Sequence, residues 1–174
     1  MSATPRGRSL LPIALAILLA GCAGGAAAPP PSDPGPVRVL LEAPTAARIR
    51  TVNNIMLVYA TINGATGALL IVDTGAQRTV LTPALLKRMN VSVPDTAPRR
   101  KLYVMGGRSI DLPFIRVASV RTGGAVVENL EVGVYDVAPQ SRVVDGLLGG
   151  DFLGRFKTTL DAREGLLRLE PLGR

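Results

Sequence analysis

The chain has 174 residues, with 20 Lys or Arg against 13 Asp or Glu and no His, so its formal net charge is +7. Without His and with a single Cys, it has no Ser-His-Asp or Cys-His catalytic group, no His-ligated metal site and no internal disulfide. Three Phe, three Tyr and no Trp provide few side chains for base stacking, which argues against nucleic-acid binding. The positive charge suits an anionic lipid surface or acidic partners, or is simply a solvated basic surface.

The beginning of the chain, residues 1–21, has the pattern of a secretory signal. Two arginines precede an apolar run at residues 10–20, which is too short to cross a bilayer as a stable helix. The run leads into Leu-Ala-Gly-Cys at residues 19–22, which resembles the lipobox of bacterial lipoproteins. By that resemblance the signal peptide is removed and Cys22 carries the lipid. The alternative is an ordinary signal peptide that happens to contain a Cys.

A lipobox implies a lasting anchor in the bacterial cell envelope, because several acyl chains at about 0.8 kcal/mol per buried CH₂ hold a protein at a membrane. Ala23 stands where an Asp would indicate retention in the inner membrane. The resemblance therefore favours the outer membrane, with the protein facing the periplasm.

Two segments separate this anchor from the rest of the chain. Residues 22–36 are rich in Ala, Gly and Pro and cannot bury enough apolar surface to fold, which predicts a tether. Residues 37–51 form an N-terminal extension of uncertain structure, either an edge strand near residues 37–42 or part of a dimer contact.

The remaining chain, residues 52–172, is predicted to be one nearly all-β domain with one or two short helices. Thr82 followed by Pro83 predicts the N-cap and first turn of a short helix over residues 82–89. Asn63-Gly64 is the strongest signal for a short hairpin turn. The predicted strand pairs are residues 55–62 with 68–72, the two arms of a hairpin over residues 99–112, 114–121 with 126–137, and 156–161 with 166–170.

Asp73 is the candidate catalytic group. Residues 69–72, Leu-Leu-Ile-Val, have the pattern of a strand buried on both faces, and they deliver Asp73 where the chain must turn. Burying a carboxylate is costly unless hydrogen bonds or a second group compensate, so an Asp at this position calls for a function. Thr74 offers a hydroxyl beside it, and Gly75 permits close backbone approach.

Two stretches of the chain resemble retropepsin-like aspartic proteases, the retroviral type of acid protease. Asp-Thr-Gly-Ala at residues 73–76, followed by Thr-Val-Leu at residues 79–81, resembles their active-site loop. The second stretch, after Val-Val-Asp at residues 143–145, is similar to the element that packs across the catalytic loop in a ψ-shaped crossing. It comprises Gly146, Leu147, Leu148 and Gly149.

The resemblance implies a single retropepsin-like, half-pepsin barrel in which Asp73 is the catalyst and Thr74, Gly75 and Ala76 support the active-site loop. Aspartic proteolysis needs two carboxyl groups that share one proton, one acting as base toward water and the other as acid toward the scissile carbonyl. Because the chain has one Asp-Thr-Gly, it is expected to form a homodimer with one Asp73 from each copy. Asp145 is interpreted as a turn or capping residue rather than a second catalytic group.

The resemblance also indicates how a substrate is held. The tip of the hairpin over residues 99–112 contains Met105, Gly106 and Gly107 and is the candidate flap over an extended polypeptide, although two glycines also make an ordinary turn. Gln77 is a further candidate for substrate binding. Gln77 and Arg78 stand where retroviral members carry two acids, so the specificity is expected to differ.

Together these observations predict a lipid-anchored, homodimeric aspartic endopeptidase that needs no metal and no cofactor. An alternative from another class is a non-catalytic lipoprotein that keeps the pepsin-like fold as a peptide-binding or dimerisation module. The intact Asp-Thr-Gly at residues 73–75 favours catalysis.

Overall fold

The computed structural model describes residues 35–103 and 109–173, which form eleven strands and two short helices. The predicted signal peptide, Cys22 and the flap-tip residues Met105, Gly106 and Gly107 lie outside the described residues. The elements in chain order are β1 (Arg38–Leu40), β2 (Thr45–Val52), β3 (Ile55–Ile62), β4 (Thr66–Val72), β5 (Val80–Leu81), α1 (Pro83–Arg88), β6 (Arg99–Tyr103), β7 (Ser109–Thr122), β8 (Ala125–Val134), β9 (Gly146–Leu148), α2 (Gly150–Leu153), β10 (Phe156–Asp161) and β11 (Leu166–Pro171).

Six strands close into a barrel in the order β3, β4, β9, β5, β8, β7, and β7 pairs back onto β3. The pairs β4–β9 and β5–β8 are parallel, whereas the other neighbours around the barrel are antiparallel. Closure leaves the central part of the sheet without a free edge. The prediction of an all-β barrel with one or two short helices is confirmed.

The segment at residues 37–51 supplies β1 and most of β2. β1 pairs with β8, and β2 joins β3 on one side to β11 on the other. The hairpin of β10 and β11 is therefore tied to the barrel through β2. The strands of the domain thus begin at Arg38, ahead of residue 52.

Local sequence signals explain several of these elements. Asn63 and Gly64 both have positive φ, 53° and 72°, which Asn and Gly tolerate best, and they reverse the chain between β3 and β4. Thr82 caps α1, because its Oγ1 accepts a hydrogen bond from the N–H of Leu85 at 3.2 Å, and Pro83 occupies the first helical position. Both predicted features are confirmed.

One prediction about strand boundaries is wrong. Residues 109–122 form a single strand of 14 residues, not two strands that separate near Pro113. The first part of β7 pairs with β6 and the later part with β8, and Pro113 marks the change of partner. Phe114 donates its N–H to the carbonyl of Pro98 at 2.8 Å, so the backbone stays paired across the missing N–H of the proline.

The core fills the barrel and continues under the terminal hairpin. Its fully buried members are almost all aliphatic, with Phe114 and Phe152 as the largest. Leu167 and Leu169 of β11 are both 0 % exposed, so the terminal hairpin is part of the same core. The loop after β4 and the element after β8 are thereby held on a rigid frame.

Candidate active site

Asp73 lies directly after β4, and its carboxylate is held by its own loop. Its backbone N–H donates to the carbonyl of Leu148 in β9 at 3.1 Å, which extends the parallel pairing by one residue. The N–H groups of Gly75 and Ala76 donate to Asp73 Oδ1 at 2.9 and 3.1 Å. Two backbone donors on one oxygen orient the carboxylate and leave Oδ2 available for a second partner.

Thr74 and Gly75 form the exposed rim of this loop. The hydroxyl of Thr74 makes no hydrogen bond to any residue within 35–103 or 109–173. Within these ranges Gly75 and Ala76 contact the Asp73 carboxylate through their backbone N–H groups, whereas a hydrogen bond from the Thr74 hydroxyl would need a partner outside them.

A second layer of hydrogen bonds fastens the loop to the segment that follows β9. Thr79 is 0 % exposed, and both its N–H and its Oγ1 donate to Asp151 Oδ1, at 2.9 and 2.6 Å. The N–H of Gly149 donates to Thr79 Oγ1 at 3.1 Å, and the N–H of Gly150 donates to the carbonyl of Ala76 at 2.7 Å. The loop that carries the candidate catalyst is therefore hydrogen-bonded to α2 through both Ala76 and Thr79.

Asp151 is a site residue that the sequence analysis does not name. It lies in the first turn of α2, directly after the glycine-bounded element, and that position is the signal that could have identified it. Burial raises the pKa of its carboxyl above the ordinary value of 3.8, while the hydrogen bonds from Thr79 and the charge of Arg78 oppose that rise. Its Oδ2 is buried and has no hydrogen-bond partner within the described residues. The carboxyl of Asp151 thus takes up a proton more readily than that of an exposed Asp.

The two glycines of the predicted ψ-shaped element allow backbones to approach closely. A Cβ on Gly146 would lie 2.1 Å from the carbonyl oxygen of Val80, and the φ of Gly146 is +154°. A Cβ on Gly149 would lie 2.5 Å from the carbonyl of Arg78. Only glycine fits at either position, because a backbone carbonyl of Val80 or Arg78 lies where a side chain would begin.

The carboxylate and the backbone of Asp145 are both bound by neighbouring residues. One carboxylate oxygen, Oδ2, accepts the N–H of Leu69 at 2.9 Å, and the other pairs with the guanidinium of Arg88 at 2.9 Å. Its backbone accepts from Thr82 and donates to Leu69. Asp145 thus connects β4 to α1, and it does not line the cleft described next.

A cleft of about 520 Å³ opens over Asp73. Its walls are mostly apolar and come from the loop after β4, from the two arms of the β6–β7 hairpin, from β9 and from the segment after β8. Gln77, a predicted substrate contact, lines it, and Asp73 is the only carboxylate among the lining residues within the described ranges. The lining residues are Asp73, Gly75, Ala76, Gln77, Arg78, Val80, Lys101, Leu102, Ile110, Leu112, Tyr135, Val137 and Leu147.

Comparison with known proteins agrees with this geometry. A family model described as Aspartyl protease matches residues 58–152, a range that contains Asp73, the cleft loop and the ψ-shaped element. The crystal structure of a retropepsin-like aspartic protease from Rickettsia conorii is similar with a TM-score of 0.55 and 21% identity, over 78% of this chain and 94% of that chain. The fold is therefore the retropepsin-like half-pepsin barrel. No curated protein shows significant similarity to the chain.

Proposed function

The chain belongs to the aspartyl protease family, and we propose that it is an aspartic endopeptidase with Asp73 as its catalytic residue. The observation that carries this proposal is a single carboxylate, oriented by the N–H groups of Gly75 and Ala76, in a cleft of about 520 Å³. A mostly apolar cleft with one oriented polar group is the usual form of a substrate site.

We further propose that the active enzyme is a homodimer. Water activation by this chemistry needs two carboxyl groups in contact, and Asp73 is the only carboxylate among the described residues that line the cleft of one copy. A second copy of the chain would supply the second Asp73 about a two-fold axis. The exposed rim formed by Thr74 and Gly75 suits such a contact, because the Thr74 hydroxyl would then gain a partner in the other copy.

In this dimer the two Asp73 carboxyls would share one proton, since like charges about 3 Å apart cannot both ionise. The ionised carboxyl would take a proton from a bound water, and the resulting nucleophile would attack the scissile carbonyl while the protonated carboxyl donates to the carbonyl oxygen. The tetrahedral intermediate would then collapse with protonation of the leaving amine. No acyl-enzyme forms.

The residues that line the cleft support an extended polypeptide as the substrate. Leu102 and Ile110, on the paired arms of the β6–β7 hairpin, line the same cleft as the loop that carries Asp73. An extended polypeptide would lie between the arms and the loop and pair with backbone groups on both sides. The hairpin tip with Met105, Gly106 and Gly107 would act as the flap that excludes water during hydrolysis.

The proposal includes attachment to the bacterial cell envelope through lipid on Cys22, most consistent with the outer membrane facing the periplasm. No helix long and apolar enough to span a membrane occurs within residues 35–103 and 109–173. Metabolic labelling with a palmitate analogue, comparing wild type with Cys22→Ser, tests the anchor. We expect label and membrane association only in the wild type, and an unlabelled wild type would contradict lipidation.

The catalytic proposal is tested with the full chain in detergent, incubated with a diverse peptide library from acidic to neutral pH. Products are identified by mass spectrometry, and light scattering gives the oligomeric state. We expect cleavage by wild type, loss of cleavage in Asp73→Asn, and retention in Asp95→Asn, a matched change at an exposed loop carboxylate. If wild type and Asp73→Asn are folded and equally inert, the protein is instead a binding or dimerisation module on the same fold.

A further inference from the structure

The cleft around Asp73 is electropositive. Arg78 and Lys101 both line it, and Asp73 is the only carboxylate among its described lining residues. Arg78 belongs to the loop after β4 and Lys101 to β6, so the two cations come from different elements of the fold. Arg78 is half-buried and Lys101 is exposed.

Neither cation forms an ion pair within the part of the chain that the structure describes. Asp111 faces Lys101 in the register of β6 and β7, but its carboxylate is bound by Arg99 at 2.6 Å. The charge of Arg78 acts on the carboxyl of Asp151 and opposes the rise in its pKa that burial causes, but the two side chains form no ion pair. A ligand carboxylate could therefore pair with Arg78 or Lys101 without displacing an ion pair among the described residues.

We propose that the cleft selects polypeptides that carry an acidic side chain close to the scissile bond, with Arg78 as the main recognition group and Lys101 as the second. This inference rests on the proposed proteolytic function, because it names the substrate class of the same cleft. A guanidinium presents a planar pair of donors that matches a carboxylate, and Lys101 adds a compact charge from β6. Apolar lining residues such as Val80 and Leu102 accommodate the uncharged neighbours in the substrate.

Dimer formation would strengthen this selection. Both cations would occur twice in a shared cleft, whereas the two Asp73 carboxyls hold one proton between them and carry one negative charge. The net field over a bound peptide is then positive. It favours acidic segments over neutral ones and disfavours basic ones.

The test uses pairs of peptides that are identical except for Glu or Gln at one position, scanned from four residues before to four residues after a cleavage site found in the library. The full chain in detergent is assayed at pH 6, where an ordinary Glu with a pKa of about 4.3 is ionised. We expect kcat/KM to favour Glu by about fivefold to tenfold at one or two positions. The ratio should fall below about twofold in Arg78→Gln, fall partly in Lys101→Gln, and shrink at high salt.

Each enzyme variant serves as its own reference, because the measured quantity is the ratio of two substrates. Arg163→Gln is the matched control: Arg163 is exposed in the turn between β10 and β11 and does not line the cleft, so its ratio should equal that of wild type. Arg78→Lys, which keeps the charge but loses the planar donors, should retain part of the preference. Circular dichroism establishes that each variant is folded.

A wild-type enzyme that cuts peptides without preferring Glu overturns the inference and leaves the proposed function intact. A preference for Glu that is unchanged in a folded Arg78→Gln variant also overturns the inference. If Arg78→Gln does not fold, the test rests on Lys101→Gln and on the salt series. A preference for Glu that weakens neither in Lys101→Gln nor at high salt overturns the inference. If the wild type cuts no peptide at all, the proposed function fails and the inference fails with it.

Discussion

Replacing Thr79 by Val tests whether the candidate catalytic loop is held by its hydrogen bonds to the segment after β9. Thr79 is 0 % exposed, and its Oγ1 both donates to Asp151 Oδ1 at 2.6 Å and accepts from the N–H of Gly149 at 3.1 Å. Valine has nearly the shape of threonine without the hydroxyl. The substitution therefore removes two hydrogen bonds while leaving little cavity.

The expected loss follows from these two bonds. A hydrogen bond to a charged group contributes about 1.5–3 kcal/mol and a neutral one about 0.5–1.5 kcal/mol. The backbone N–H of Thr79 still donates to Asp151 Oδ1 at 2.9 Å in the variant, so the carboxylate keeps part of its support. We expect the free energy of unfolding to fall by about 2–3 kcal/mol.

Urea denaturation followed by circular dichroism at fixed protein concentration measures this loss, since dimer formation would make stability depend on concentration. Thr79→Ser is the control: it keeps the hydroxyl and loses one methyl, at a cost of about 1 kcal/mol. A loss below about 0.5 kcal/mol in Thr79→Val would refute the reasoning, as would equal losses in the two variants.

Three further substitutions probe the same framework. The pKa of Asp151 is raised, so above pH 3.8 the folded state binds more protons than the unfolded state. The free energy of unfolding should therefore fall as the pH rises from 3.8 through the folded-state pKa. In urea titrations at several pH values, Asp151→Asn should flatten that dependence. Gly149→Ala places a Cβ 2.5 Å from a backbone carbonyl and should cost about 1–3 kcal/mol by thermal denaturation, whereas Gly67→Ala, with open space around it, should be nearly neutral. Arg88→Ala removes the half-exposed partner of the mostly buried Asp145 and should cost about 1–2 kcal/mol in urea denaturation.

Each of these predictions has an outcome that contradicts it. If the pH dependence of stability is unchanged in Asp151→Asn, that dependence arises from other titratable groups. Equal stability of Gly149→Ala and Gly67→Ala would mean that the backbone contact relaxes freely. An unaffected Arg88→Ala would show that the hydrogen bond from Leu69 alone satisfies the carboxylate of Asp145.

The elements that could be predicted from the sequence are those set by neighbouring residues. Asn63-Gly64 determines a reversal through positive φ, and Thr82-Pro83 determines a helix start through a side-chain cap and a preset φ. Both act within a few positions of chain, so the printed sequence contains the whole signal. The long strand at residues 109–122 escaped prediction because a proline in its middle is tolerated only when the partner strand changes there.

The same distinction holds in the candidate site. The type and order of its residues, an Asp-Thr-Gly after an apolar run and a glycine-bounded pair of leucines downstream, are properties of the sequence and were sufficient to predict the family and the barrel. The contacts of Asp151 and Asp145 were decided by the tertiary structure. Each joins residues about 70 positions apart, and such pairs meet only when the barrel closes.

The sequence by itself therefore determined which chemistry is available: one Asp-Thr-Gly carboxylate, no His and a single Cys. Only the tertiary structure decided how that carboxylate is held and what surrounds it, including the buried Thr79–Asp151 bond and the two cations that line the cleft. The physical reason is the separation along the chain between the residues that interact. Turn and cap preferences act between near neighbours, whereas burial and electrostatic surroundings arise from residues that are distant in the chain and close in the fold.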